Sequence, residues 1–81
     1  MTDILARLSR FVAATYYRDE SRAIGQDAPL VSTGVIDSFG LVDLSLFVEN
    51  EFGVRLDAAE LGAGRADTPR EIAELVASKL P

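Results

Sequence analysis

Residues 34–56 read "GVIDSFGLVDLSLFVENEFGVRL". Asp37 is a good helix N-cap, and Ile36 and Leu41 fall at the flanking positions of a hydrophobic staple. Gly53 is a natural residue just past the helix end. The stretch therefore predicts a helix opening at "DSFG" and running to about Phe52. At about 100° per residue, Leu41, Leu44, Val48 and Phe52 share one face, as a core stripe should. Phe39, Val42 and Leu46 share another, with Asp43 and Asn50 among them. One small domain has little material to cover a helix on most of its circumference. The second row is expected to be at least partly exposed, and an exposed apolar row beside acids has the character of a docking surface.

Ser38 stands one residue after the cap, at the edge of that row. The chain has no His and no Cys. Ser-His-Asp, Cys-His and His-zinc chemistry are excluded within it. A serine without a base is not a conventional nucleophile. Its place at the positive end of a helix suits a bound or attached phosphate. The plain alternative is a residue that merely starts the helix.

Working outward, "TDILARLSRFVAATYY" places Ile4, Leu5, Leu8, Phe11, Val12 and Tyr16 on one face of a first helix. Residues 18–37 form a long connection with Gly25, Pro29 and Gly34 and no helical period. Ile24, Leu30, Val31, Val35 and Ile36 are available to pin it to the core. After the central helix, "DAAEL" predicts a short helix, with Asp57 as cap, Glu60 three residues on and Gly62 as stop. "GAGRAD" is a loop without the spacing of a phosphate-binding motif. The last helix has Thr68 as cap, Pro69 at its first position and Glu71 completing a capping box, with Ile72, Leu75, Val76 and Leu80 as core stripe. "FGVRL" alternates, but a lone strand has no partner. The expectation is one all-α domain over residues 1–81: a bundle of three main helices plus one short helix, with a long loop between the first two.

Eighty-one residues, 48% apolar and 26% charged, suffice for one modest core but not for a deep catalytic cleft with its supporting shell. The net charge is −5, and its placement matters more than its size. Residues 23–54 contain no Lys or Arg and carry Asp27, Asp37, Asp43, Glu49 and Glu51, while the flanking segments nearly balance. Nucleic acid is disfavoured as a partner, since phosphate backbones need cationic surface. A basic protein partner is favoured. No apolar run is long enough to span a membrane, and the N-terminus lacks the pattern of a signal peptide. The expectation is a cytoplasmic monomer, complete from Met1. Seven Arg against one Lys, with many Ala, hint at a GC-rich bacterial genome.

The central stretch resembles the modification site and recognition helix of acyl carrier proteins. The likeness is carried by Asp37-Ser38-Phe39, then "GLVDLSLFVENE", then Phe52-Gly53-Val54. It extends over the chain through the order of elements and the cap in "ADTPREIAELV". The resemblance implies that a separate phosphopantetheinyl transferase moves 4′-phosphopantetheine from coenzyme A onto Ser38, with Asp37 supporting the encounter. The arm's thiol would then hold an acyl group as a thioester. Phe39, Val42 and Leu46 fall where the family has apolar partner contacts, and Asp43, Glu49 and Glu51 where it has acids that meet basic patches. The implied partners are an acyl- or aminoacyl-loading ligase and downstream acyl-processing enzymes.

Two departures from the family pattern stand out. Gly40 replaces an acid common two residues after the serine, and Asn50 stands where Glu or Asp is commoner. The form "GVIDSFG" is more like freestanding carriers, of D-alanyl, aminoacyl or polyketide pathways, than a housekeeping fatty-acid carrier. Two other readings compete. One is an unmodified helical interaction module anchored by Phe39, Val42 and Leu46. The other is a small enzyme using Asp37 with Asp43, disfavoured by the absence of metal-ligand spacing and of a pocket-sized architecture.

Overall fold

A computed structural model describes residues 2–61 and 65–80. Helix α1 spans Thr2–Tyr16, α2 spans Ser38–Phe52 and α3 spans Pro69–Lys79. The described residues are all-helical, without strands. Each helix end follows from local chemistry. Asp37 caps α2 by accepting the Gly40 N–H. Gly53 closes α2 in the left-handed region at φ 69°, where its N–H reaches the Glu49 carbonyl, a conformation that costs a glycine little. At α3 the capping box is complete. Thr68 accepts from the Glu71 N–H, and the Glu71 carboxylate accepts from the Thr68 N–H.

The core is one cluster. Ile4, Leu8 and Val12 come from α1, Leu44 and Val48 from α2, and Ile72, Ala73 and Val76 from α3. Leu30 and Ile36 of the long connection are fully buried among them, with Ile24, Val31 and Val35 packed alongside. Burying a Leu or Ile side chain contributes about 1.5–3 kcal/mol, so the connection is held like a core element. Val54 and Leu56 are buried and Arg55 between them is exposed, which gives "FGVRL" its alternation without any strand.

Two expectations are corrected. The short fourth helix does not form. Ala58–Glu60 makes a single 3-10 turn, with the Asp57 N–H bonded to the Glu60 carboxylate. Leu61 is buried and bridges to Ala66, so the chain is drawn inward after one turn. Gly62, the expected stop, lies outside the described residues. Leu80, placed in the core stripe of the last helix, is 37% exposed. The helix stops at Lys79, and Leu80 is extended (φ −71°, ψ 143°), which takes its side chain off the buried face. Ala73 is buried on that face instead.

Candidate functional site

The start of α2 is where sequence and structure converge. Ser38 is its first residue and is exposed. The first N–H groups of a helix have no carbonyl four residues back to bond to. The Asp37 carboxylate takes the Gly40 N–H at 2.8 Å, and the Asp37 carbonyl takes the Leu41 N–H at 2.9 Å. The N–H groups of Ser38 and Phe39 are left without an intrahelical partner, at the positive end of the helix dipole. A hydroxyl there sits in a field that favours a phosphodiester anion. The residues present therefore fit a phosphate-linked group on Ser38.

Phe39, Val42 and Leu46 are 85%, 58% and 53% exposed. The opposite side of α2 buries Gly40, Leu44 and Val48, with Leu41 and Phe52 packed half-buried against the core. The core stripe is thus narrower than its four expected residues, and Gly40 joins it. A shallow groove of about 220 Å³ runs from Ser38 along Leu41, Val42, Ser45 and Leu46 to Glu49. The structure therefore brings Ser38, Val42, Leu46 and Glu49 together on one surface. Asp43 is exposed, close enough to the end of α1 for its charge to act on Tyr16. Glu51 is elsewhere. It pairs with Arg7 of α1 at 2.7 Å and borders a separate groove with Arg10, Phe11 and Phe47.

Two features at this end escape sequence reading. Tyr16 donates its hydroxyl to the Gly40 carbonyl at 2.7 Å. A Cβ built on Gly40 would stand 3.0 Å from Tyr16 Cε1, 3.3 Å from Ile36 Cγ2 and 3.4 Å from Asp37 Oδ1. The backbone therefore approaches Tyr16 closely here, and a Cβ at this position would crowd the ring, Ile36 and Asp37. The only sequence signal was the glycine itself, placed in a helical first turn where Ala would be preferred.

The second feature is Asp67, two residues before α3. Its Oδ1 accepts the N–H groups of Leu30, Val31 and Ser32 at 3.2, 2.6 and 2.9 Å. Burial alone would raise this carboxyl, but the hydrogen bonds from Ser32, Val31 and Leu30 outweigh it and hold the group below the usual carboxylate range. Arg70 adds a bidentate pair with Asp27 at 2.9 and 3.3 Å. The connection that leads into Ser38 is thus fastened to the start of α3.

An exposed serine on a capped helix start, beside an apolar row and inside an acidic segment, defines a surface for attachment and transfer rather than a catalytic centre. The sequence profile described as "phosphopantetheine attachment site" matches residues 4–76, and the chain belongs to that family. Its members are non-catalytic carriers that hold 4′-phosphopantetheine covalently and depend on a transferase to install it. Among curated proteins, the D-alanyl carrier protein of Streptococcus sanguinis is 32% identical over 89% of either chain. That of Streptococcus gordonii is 31% identical over the same share. D-alanyl carrier protein 2 of Lactiplantibacillus plantarum is 36% identical over 64% of this chain and 65% of its own. A comparison with solved structures finds no match. Among the described residues no helix is long and apolar enough to cross a membrane.

Proposed function

We propose that Ser38 is the attachment residue and that the protein is a freestanding cytoplasmic carrier of an aminoacyl group, of the D-alanyl type. The observation that carries the attachment is the exposed Ser38 at the start of α2, beside N–H groups that the helix leaves open. In the transfer step, Ser38 Oγ attacks the phosphorus of coenzyme A that bears the pantetheine. A new P–O bond forms to Oγ, the pyrophosphate P–O bond breaks, and 3′,5′-ADP departs. The Oγ proton passes to a base on the transferase, since this chain has no His to take it. The installed arm supplies a thiol on which cargo is held as a thioester.

The chain's own residues present and orient. Asp37 fixes the turn that carries Ser38. Phe39, Val42 and Leu46 form the apolar contact with partner enzymes, and Asp43 and Glu49 flank it. Glu51, engaged by Arg7, is a weaker candidate for docking. The aminoacyl cargo is supported by the relatives, which are named as D-alanyl carriers. Basic patches on the transferase and the loading ligase complement the segment without Lys or Arg that surrounds the site.

Incubation with coenzyme A and a promiscuous phosphopantetheinyl transferase, read by intact-mass spectrometry, tests the attachment. Wild-type protein gains one phosphopantetheine, and Ser38→Ala gains none. Equal gain by both sinks the assignment. Leu46→Asp should keep the fold and the modification by a promiscuous transferase but lose loading by the cognate ligase. Loading of D-alanine, against glycine and short fatty acids, reads the cargo.

A further inference from the structure

We infer that Tyr16 is a positioning residue for the modification of Ser38, acting through the clamped first turn of α2; this rests on Ser38 being the attachment residue. Tyr16 is the last residue of α1, 24 positions before Gly40 in the chain. Its hydroxyl holds the Gly40 carbonyl at 2.7 Å, while the Asp37 carboxylate holds the Gly40 N–H at 2.8 Å. These groups belong to two successive peptide planes, on either side of the Gly40 Cα. The turn that begins with Ser38 is therefore gripped from its own cap and from a different helix. A carbonyl oxygen has two lone pairs, so the tyrosine adds to the helical ladder without replacing a bond in it.

The grip is itself held in place. The Tyr16 ring meets Phe11 edge-to-face at 5.8 Å, and Phe11 stacks on Phe47 of α2 at 4.1 Å. The ring is thus located by the seam between α1 and α2. Burial, then the negative charges of Asp43 and Asp37, push the phenol well above its ordinary value, so the hydroxyl stays a donor wherever the protein is folded. A Cβ at position 40 would press on the ring, 3.0 Å from Cε1. A capping box would put an acid at this position, reaching back to the N-cap N–H. Here the tyrosine stabilises the same turn from α1.

Helix ends fray, and group transfer needs the hydroxyl presented to a second protein in one orientation. Tyr16→Phe keeps the ring and removes only the hydroxyl. In the full chain, amide exchange should quicken at Gly40 and Leu41 but not at Ile72 or Val76. The kcat/KM for phosphopantetheinylation should fall about tenfold. Thr68→Ala, a destabilising change at α3, should leave that rate unaltered. Gly40→Ala should mimic Tyr16→Phe, and the double variant should lose no more than Gly40→Ala alone, since the grip is already gone. Tyr16→Phe with wild-type exchange, or with faster exchange but an unchanged transfer rate, overturns the inference while leaving the Ser38 assignment standing. Wild-type protein that never gains mass overturns both.

Discussion

The starts of α2 and α3 are capped by different means. At α3, Thr68, Pro69 and Glu71 satisfy most of the helix end locally, and the Arg70 N–H adds one bond to the Gln26 carbonyl of the long connection. At α2, Asp37 supplies only the forward half of such an arrangement, and the third helical position is a buried glycine pressed under Tyr16 of another helix. The α3 start is closed. The α2 start keeps the Ser38 and Phe39 N–H groups open, beside an exposed hydroxyl. On the proposed reading that Ser38 carries a phosphate-linked group, an end left open in this way is steadied by the Asp37 cap together with the Tyr16 contact from α1.

That contrast can be broken in graded ways. The largest effect is expected from Gly40→Val. Overpacking against Tyr16, Ile36 and Asp37 should cost about 2–3 kcal/mol in urea unfolding, together with slower modification of Ser38. A valine tolerated without loss would mean that the close approach is unimportant. Next comes Asp67→Ala. The Val31 and Ser32 N–H groups lose their acceptor, while the Leu30 N–H keeps the Asp67 carbonyl at 2.9 Å, for about 1–2 kcal/mol.

The same residue carries a pH signature. Its folded-state carboxyl titrates lower than an unfolded one. The stability it contributes is therefore present above the unfolded value and is lost as pH falls through the folded one. Wild type should lose stability more steeply than Asp67→Ala as pH drops below about 4. Parallel curves from the two proteins would remove Asp67 as the clip. Thr68→Ala should cost about 1 kcal/mol, with no change in the rate at which folded protein is modified. Glu71→Ala, which removes the acceptor of the Thr68 and Asp67 N–H groups but leaves the Thr68 cap, should cost about 0.5 kcal/mol. If either α3 variant slows modification more than its stability loss explains, the two helix starts are coupled and the contrast fails.

The two starts also differ in how much of them could be read from sequence. The box at Thr68 and Glu71 is a local pattern, and it is present as expected. So are the Asp37 cap, the Gly53 stop and the exposure of Phe39, Val42 and Leu46, because a helix wheel and a cap both operate within a few residues. Gly40 could be flagged only as a departure. The partner that explains it lies in α1, and nothing within α2 names Tyr16. Asp67 read as part of the lead-in to a cap, yet its carboxylate serves a loop more than thirty residues earlier. The expected short helix failed for a related reason. Asp57 and Glu60 gave a valid local start, but burial of Leu61 beside Ala66 ended it after one turn. Glu51, grouped with the docking acids by the family resemblance, faces α1 and its Arg7.

The sequence by itself determined the helices, most of their ends, the acidic segment and the position of Ser38. Periodicity, capping and turn chemistry act over one to four residues and leave their marks in adjacent letters. Only the tertiary structure decided how the start of α2 is held and how its long approach is fastened. The same is true of which acids remain beside the serine. Those outcomes depend on contacts between residues distant in the chain, whose geometry exists only once the core around Leu8, Leu30, Ile36 and Leu44 has closed.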